Sequence, residues 1–147
     1  MSHRIHLTNP RLLEEPAFRP PVFHTQQLSK PFISHAQRIF KYQYNIPLIL
    51  ITLGKDGSRA YYKDMKVEAA PFLQEKTIET TGAGDTFCAS SLNYVLEHGL
   101  DNLTEENLKE LLTFANAAAS LITTRKGALR VMSTKEEVLD FMKSRGC

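Results

Sequence analysis

The chain has 147 residues, of which 42% are hydrophobic and 23% are charged, enough for one globular domain with a sizeable core. Its formal net charge at pH 7 is only +2, and it has no basic footprint of the kind that binds nucleic acid. We find no run of about 18 apolar residues and no apolar N-terminal segment, so we expect neither a transmembrane helix nor a secretory signal.

The two cysteines, Cys88 and Cys147, lack the spacing of a metal site or a disulfide framework. Reduced thiols fit the cytosol, and we therefore expect a cytoplasmic protein. The histidines near the N-terminus predict no zinc site, because such a site needs a closed ligand set with supporting groups and nothing else here supplies one.

Residues 1–34 are predicted to form an irregular N-terminal segment. They hold five of the seven prolines of the chain, and proline fixes its own φ and biases the preceding residue away from helix. Helical spacing of apolar residues then predicts a helix over 34–44, which ends before Pro47.

The clearest strand is predicted over Ile46–Leu53, a continuous, largely β-branched apolar run. Such a run is typical of a strand buried on both faces in a parallel α/β sheet. After Gly54, the segments Ser58–Tyr62 and Met65–Ala70 predict a β-hairpin near the sheet edge, followed by an extended piece over 72–78.

Three helices are predicted in the second half of the chain. The first follows residue 82, buries an apolar face and ends at Gly99; the second spans Thr104–Thr123. The third begins at the capping-box sequence Ser133–Glu136. Their predicted buried residues are Phe87, Leu92, Val95 and Leu96 in the first helix, Leu108, Leu111, Leu112, Ala115, Ala119 and Ile122 in the second, and Val138, Phe141 and Met142 in the third.

The segment Glu79–Phe87 combines small residues with one carboxylate at a helix start. The backbone amides of Gly82, Ala83 and Gly84 can approach an anion closely, and the helix adds unpaired N–H groups and its positive dipole end. Asp85 next to a bound phosphate suits a group that takes a proton from an attacking hydroxyl. On the residues alone, an Asp that only caps the helix is an equal alternative.

This segment resembles the second signature of the ribokinase-like (PfkB) carbohydrate kinases, with Glu79 in place of the usual Asp and Ser90 in place of Ala or Gly. Two further stretches carry the resemblance. Thr52–Gly57 is similar to the strand-end loop at the nucleotide site of these enzymes, although alone it could be an ordinary glycine turn. Phe114–Ala119 together with Thr123–Ala128 is similar to the block that follows, although helix propensity explains Ala117–Ser120 equally well.

The resemblance implies a ribokinase-like α/β fold: part of a three-layer α/β/α sandwich with a mainly parallel sheet and an edge hairpin. Residues 35–147 would form the C-terminal, ATP-binding half. It further implies ATP-dependent phosphorylation of a sugar hydroxyl, most simply of the fructokinase type, with Asp85 as the base, Mg²⁺ and a backbone cation site for K⁺. The implied anion hole is Gly82, Ala83 and Gly84, the nucleotide contacts are Thr52, Gly54, Gly57, Asn116 and Gly127, and the cation positions are Glu79, Thr81, Ile122, Arg125 and Gly127.

Several alternatives stay open at this stage. Glu79 could alter or abolish the cation site, since its side chain is longer than that of Asp. Arg125 and Lys126 could contact phosphate or form a solvated helix end. The sugar-contacting half of the family has no counterpart here, so the chain could be a truncated, inactive nucleotide-binding or interaction module. Otherwise it could be completed by a partner chain or a homo-oligomer.

Overall fold

The computed structural model describes residues 22–24, 43–127 and 131–147. The predicted irregular segment 1–34, apart from 22–24, and the predicted helix up to residue 42 lie outside the described residues. Within that segment the expectation of irregular structure is wrong at one place, because Val22–His24 forms a strand. Pairing with a neighbouring strand overrides the weak local sequence pattern there.

Four strands form one sheet in the order β1 (Val22–His24), β2 (Leu48–Thr52), β3 (Ser58–Tyr62) and β4 (Met65–Ala69). β1 pairs with β2 in parallel, whereas β2–β3 and β3–β4 are antiparallel. The hairpin is confirmed within a residue of its predicted bounds. The expectation of a mainly parallel sheet is wrong for the described strands, because a buried apolar run reports burial and not the direction of the neighbouring strand.

Three helices follow the sheet among the described residues: α1 (Ala83–His98), α2 (Glu105–Ile122) and α3 (Lys135–Ser144). Thr104 starts α2 through a capping box with Asn107. Thr134 starts α3 in the same way with Glu137, so the box lies one residue later than predicted from Ser133 and Glu136. None of the helices within the described ranges is long and apolar enough to cross a bilayer.

The main core lies between one face of the sheet and the helices α1 and α2. Alternate strand residues such as Leu48, Leu50 and Tyr62 pack there against α2 residues such as Leu108 and Leu112. A second cluster on the other sheet face contains Ile46, Ile49, Ile51 and Tyr61. β2 is therefore buried on both faces as predicted, and the described helices cover one of those faces.

The buried stripe of α1 differs from the prediction. Phe87 is buried, but Leu92 is 38% exposed and Leu96 is 82% exposed, while Ser91 and Tyr94 are buried instead. Ser91 can be buried because its hydroxyl donates to the carbonyl oxygen of Phe87 at 2.8 Å. A small, internally bonded serine thus lets α2 approach α1 along a stripe that hydrophobicity alone does not reveal.

The predicted stripes of the other two helices fit the structure. In α2, the large members of the stripe are almost completely buried, and Ala119 is half-buried. In α3, Val138 is buried, whereas Phe141 and Met142 are half-buried and pack with Phe72. With this packing, the start of α1 and the end of α2 both lie near the segment that follows β4.

Candidate active site

A cavity of about 510 Å³ lies where these elements meet. It is bounded by the end of β2 and the turn after it, by the segment that follows β4, by the start of α1 and by the second half of α2. The residues that line it are Thr52, Gly54, Lys55, Gly57, Pro71, Phe72, Leu73, Gln74, Thr77, Thr80, Ala83, Gly84, Phe87, Asn116, Ala119, Ser120 and Thr123. Six of the sequence-predicted site residues are thereby brought together: Thr52, Gly54, Gly57, Ala83, Gly84 and Asn116.

The turn before α1 is built on Gly82, which has φ +85° and precedes the first helical residue. This left-handed conformation favours glycine. The carbonyl of Gly82 accepts the N–H of Thr86 at 2.8 Å, and the N–H of Ala83 donates to the carbonyl of Thr80 at 3.2 Å. The N–H of Ala83 is therefore used within the turn, whereas the predicted anion hole requires it to face the anion.

The next two backbone donors are different. Within the described residues, the N–H groups of Gly84 and Asp85 donate no backbone hydrogen bond, and no side chain caps this helix start. Gly84 also lines the cavity. The free donors at this helix start are thus shifted one residue along from the predicted set, towards Asp85.

Asp85 is the third residue of α1, and its side chain is exposed. The capping alternative predicts that its carboxylate accepts a hydrogen bond from a backbone N–H of the helix start, and α1 has no side-chain cap. The described part of the chain offers the Asp85 carboxylate neither a hydrogen bond nor an ion pair. It stands one residue beyond the cavity lining, beside free amide donors.

Thr86 in the same turn has an unpaired hydroxyl that does not face the cavity. It is 5% exposed, its hydroxyl is buried without a partner among the described residues, and it is absent from the cavity lining. The features of the first turn of α1 that fit a bound anion are therefore the free amides of Gly84 and Asp85.

The strand-end loop has a structural role as well as a place in the cavity wall. Gly54–Asp56 forms a 3₁₀ turn, and the N–H of Leu53 donates to the carbonyl of Gly57 at 2.8 Å. Gly57 has φ +89°, and a Cβ there would lie 2.1 Å from the carbonyl oxygen of Ala69. Glycine at 57 therefore lets the loop approach the end of β4.

Asn116 holds the cavity wall together from α2. Its side chain is 8% exposed, and its Nδ2 donates to the carbonyls of Ala70 at 2.9 Å and Ala69 at 3.3 Å. The amide donors that the resemblance directs towards adenine or ribose are thus engaged with the end of β4. Asn116 lines the cavity while fixing the hairpin to α2.

The five predicted cation positions lie together but outside the cavity lining. The Oε2 of Glu79 accepts the N–H of Gly127 at 3.2 Å, and the carbonyl of Ile122 accepts the N–H of Arg125 at 3.0 Å. Thr81 and then the N–H of Gly127 hold the pKa of Glu79 below its usual range. Across the described ranges, no three His, Cys, Asp or Glu residues come together as a metal site.

The structure gives Arg125 a role that neither alternative, a phosphate contact or a solvated helix end, predicted. Its guanidinium pairs with Glu137 at 3.2 Å and donates to the carbonyl of Val131 at 3.2 Å. It therefore ties the segment after α2 to the start of α3. It is neither a free helix-end cation nor directed at the cavity.

Sequence reasoning missed part of the cavity wall. The segment after the hairpin supplies Phe72 and Gln74, and Gln74 Nε2 donates to Ser120 Oγ at 3.0 Å, while Ser120 Oγ donates to the carbonyl of Phe72 at 2.5 Å. Ser120 was explained by helix propensity alone. A hydroxyl within a run of alanines was the signal that could have identified Ser120 as part of the cavity wall. Lys55 and the segment 71–80 offered no such signal except that they are close to the motifs.

Known proteins share this arrangement. The sequence profile described as pfkB family carbohydrate kinase matches residues 29–135. The chain is 39% identical over 99 residues to the probable fructokinase-2 of Arabidopsis thaliana, covering 67% of this chain and 30% of that protein. It thus spans less than a third of that relative's length.

Solved structures give the same picture. The ribokinase of Arabidopsis thaliana complexed with ribose and ATP is 31% identical, with a TM-score of 0.62 over 76% of this chain and 34% of that one. The fructokinase of Vibrio cholerae O395, in a form with fructose, ADP and calcium bound, is 25% identical, with a TM-score of 0.62 over 73% and 34%. The ribokinase-like α/β fold is therefore confirmed, and the chain belongs to the pfkB family of carbohydrate kinases.

Proposed function

We propose that this chain is the nucleotide-binding, base-carrying part of an ATP-dependent sugar kinase, most simply one of the fructokinase type. Support comes from its similarity to proteins named as fructokinases and from the chemistry of the α1 start. The transferred group would be the terminal phosphoryl of ATP, and the acceptor would be a sugar hydroxyl.

One observation carries the proposal: the cavity reaches a helix start whose amide donors and neighbouring carboxylate have no partners within the described residues. A carboxylate beside a bound anion is electrostatically unfavourable, so its presence there needs a functional reason. Accepting a proton from an attacking hydroxyl is such a reason.

Each group then has a role. Asp85 accepts the proton of the acceptor hydroxyl as the hydroxyl oxygen bonds to phosphorus and the bond to the ADP oxygen breaks. The N–H groups of Gly84 and Asp85 donate to phosphate oxygens and hold them in place. The wall formed by Thr52, Gly54 and Gly57 on one side and Asn116 on the other holds the rest of the nucleotide.

Magnesium bound with ATP would neutralise part of the phosphate charge. Solved relatives described as bound to ATP and Mg²⁺, or to ribose and ATP, make this cofactor choice reasonable. Within the described residues Asp85 is the carboxylate nearest to this role, and the phosphates themselves would supply the other oxygen ligands.

A second candidate is a nucleotide-binding or interaction module without catalytic activity. This candidate applies where the chain acts alone. The chain covers 30% of the probable fructokinase-2 of Arabidopsis thaliana, and a site without acceptor contacts cannot position a sugar or exclude water. A partner chain that supplies the remaining part would restore the first candidate.

Two measurements on the full chain separate these candidates. The first is titration with ATP, and the second is release of ADP with fructose, ribose or a nucleoside as acceptor. Sugar-dependent ADP release supports the kinase, and ATP binding without ADP release supports the module. A chain that does not bind ATP contradicts the kinase and the nucleotide-binding module, and leaves only the interaction module.

A further inference from the structure

The segment before α1 and the segment after α2 are joined by the chain's own groups. Backbone N–H groups of Ile78 and Glu79 donate to the same carbonyl, that of Thr123, at 2.8 and 3.2 Å. Thr123 is the residue at which α2 ends. Glu79 is thus held by its backbone only a few residues before the Gly82–Asp85 turn.

The side chain of Glu79 adds a second link. Its Oε2 accepts the N–H of Gly127 at 3.2 Å. This hydrogen bond holds the segment after α2 at a second point, beyond Thr123. Gly127 has φ +110°, and the nearest atoms to a Cβ there are the Val131 methyl groups at 4.0 Å. Backbone conformation and not lack of space therefore makes glycine suitable at this position.

The same segment is also fixed from its far side. Arg125 pairs with Glu137 of α3 and donates to the carbonyl of Val131. Residues 123–127 and Val131 are therefore held at one side by Glu79 and at the other by α3.

These contacts do not fit the monovalent cation that the family resemblance implies. The carboxylate expected to face the ion faces an N–H donor, and the Ile122 carbonyl expected as a ligand already accepts the N–H of Arg125. A cation needs converging oxygen atoms, whereas Glu79 meets a proton donor at the point where the two segments approach. Glu is long enough to make this contact directly.

We propose that Glu79 is a positioning residue that joins the segment after α2 directly to the Gly82–Asp85 turn, in place of a bound monovalent cation. The consequence of this joint for ATP binding rests on the proposed function, because a firmly placed turn presents its amide donors to the phosphates. ATP affinity is therefore independent of potassium.

The first test follows the joint itself through amide hydrogen exchange of Gly127 in the ligand-free chain. We expect the exchange rate to be the same in potassium and in choline chloride, and to rise about tenfold in Glu79→Ala, as for loss of one charge-assisted hydrogen bond. Glu75→Ala, which removes an exposed carboxylate from the same segment, serves as the control and leaves the rate unchanged. Slower exchange in potassium than in choline, or equal rates in the two variants, overturns the proposal.

The second test measures ATP affinity by titration in the same two salts. The unchanged chain and Glu75→Ala bind equally in both, whereas Glu79→Ala binds about tenfold more weakly in both. Potassium-dependent affinity of the unchanged chain overturns the proposal. If the chain binds no ATP in either salt, the proposed function fails, while the exchange rates still decide whether Glu79 forms the joint.

A third variant separates positioning from general stability. Glu79→Asp keeps the charge but shortens the side chain, so the carboxylate withdraws from Gly127. We expect weaker ATP binding in choline, with a midpoint of thermal unfolding close to that of Glu75→Ala. Affinity equal to that of the unchanged chain in choline contradicts the need for direct contact.

Discussion

The starts of α1 and α2 differ in whether side chains accept hydrogen bonds from their first backbone N–H groups. At α2, the side chain of Thr104 accepts the N–H of Asn107 at 3.2 Å, and the side chain of Asn107 accepts the N–H of Thr104 at 3.1 Å. At α1, Gly82 offers no side chain, the N–H of Ala83 donates to the carbonyl of Thr80, and the N–H groups of Gly84 and Asp85 have no backbone partner within the described residues. One helix start is completed by side chains, and we expect the other to be completed by a bound anion.

The difference has an energetic meaning. A glycine in place of a capping side chain costs a helix only about a few tenths of a kcal/mol, so the α1 start loses little stability by having Gly82. The same glycine lets a ligand approach the backbone closely. We therefore expect variants at the α1 start to change binding and variants at the α2 start to change stability.

The largest effect is expected at Asp85. Asp85→Asn keeps the shape of the side chain but removes its ability to accept a proton, so sugar-dependent ADP release should fall by at least about 100-fold. ATP affinity should stay nearly the same. Glu106→Gln, an exposed acid in the first turn of α2, is the matched control and should change neither quantity. Comparable turnover in Asp85→Asn and the unchanged chain would remove the base from the mechanism.

The contact between α1 and α2 at Tyr94, which adjoins Asn107 of the α2 capping box, should respond to alkaline pH. Tyr94 donates to Glu110 at 2.8 Å, and burial, followed by this hydrogen bond, raises its pKa from 10.0 to about 12. The neutral phenol is favoured by folding, so its stabilising contribution is complete below pH 10 and is lost as pH rises through 12. The free energy of unfolding should fall by about 2 kcal/mol over this window.

Urea unfolding at several pH values checks the effect of Tyr94. Tyr94→Phe should be less stable than the unchanged chain at neutral pH and should lose less stability between pH 9 and 12. Parallel pH curves for the two proteins would show that Tyr94 is not the group responsible.

The cap of α2 should have a smaller effect that is confined to stability. Thr104→Ala removes one half of the capping box and should lower the free energy of unfolding by about 1 kcal/mol. ATP affinity should not change, because this start lies away from the cavity lining. Thr134→Ala in the matching box of α3 should behave similarly. A clear loss of ATP binding in Thr104→Ala would contradict the division between the two starts.

The smallest effect is expected at Thr86 and has the opposite sign. Thr86→Val removes a buried hydroxyl that has no partner, and the free energy of unfolding should rise by up to about 1 kcal/mol. Binding of ATP should change little, because this hydroxyl is buried and Thr86 does not line the cavity. Thr113→Val is the control: its Oγ1 donates to the carbonyl of Lys109, so its loss brings no gain in stability. Urea unfolding and ATP titration of both variants provide the comparison.

Local patterns predicted much of the fold. The hairpin, the three helices and the buried stripe of α2 follow from alternation, helical spacing and capping residues, which act over a few neighbours. The parallel β1–β2 pair and the stripe through Ser91 and Tyr94 could not be predicted that way. Both depend on which distant element lies opposite, and a serine that bonds its own helix carries no hydrophobic signal.

The candidate site was predicted less completely than the fold. The motifs correctly brought Thr52, Gly57, Gly84 and Asn116 to one cavity, because glycines and polar residues at strand and helix ends mark such places. They did not show that Ala83 is used within its turn or that Asn116 is bonded to the end of β4. Those facts depend on hydrogen bonds between segments far apart in sequence. The roles of Asp85 and the amides stay predictions.

The order of strands in the sheet also bears on how the chain reaches this structure. β2, β3 and β4 pair in sequence through short turns, and such local pairings cost little loop-closure entropy. The parallel partner β1 is separated from β2 by a long stretch of chain and should join later. The meander, which supplies Thr52, Gly54, Lys55 and Gly57 to the cavity wall, can thus form early, so this part of the candidate site can be in place before the sheet is complete.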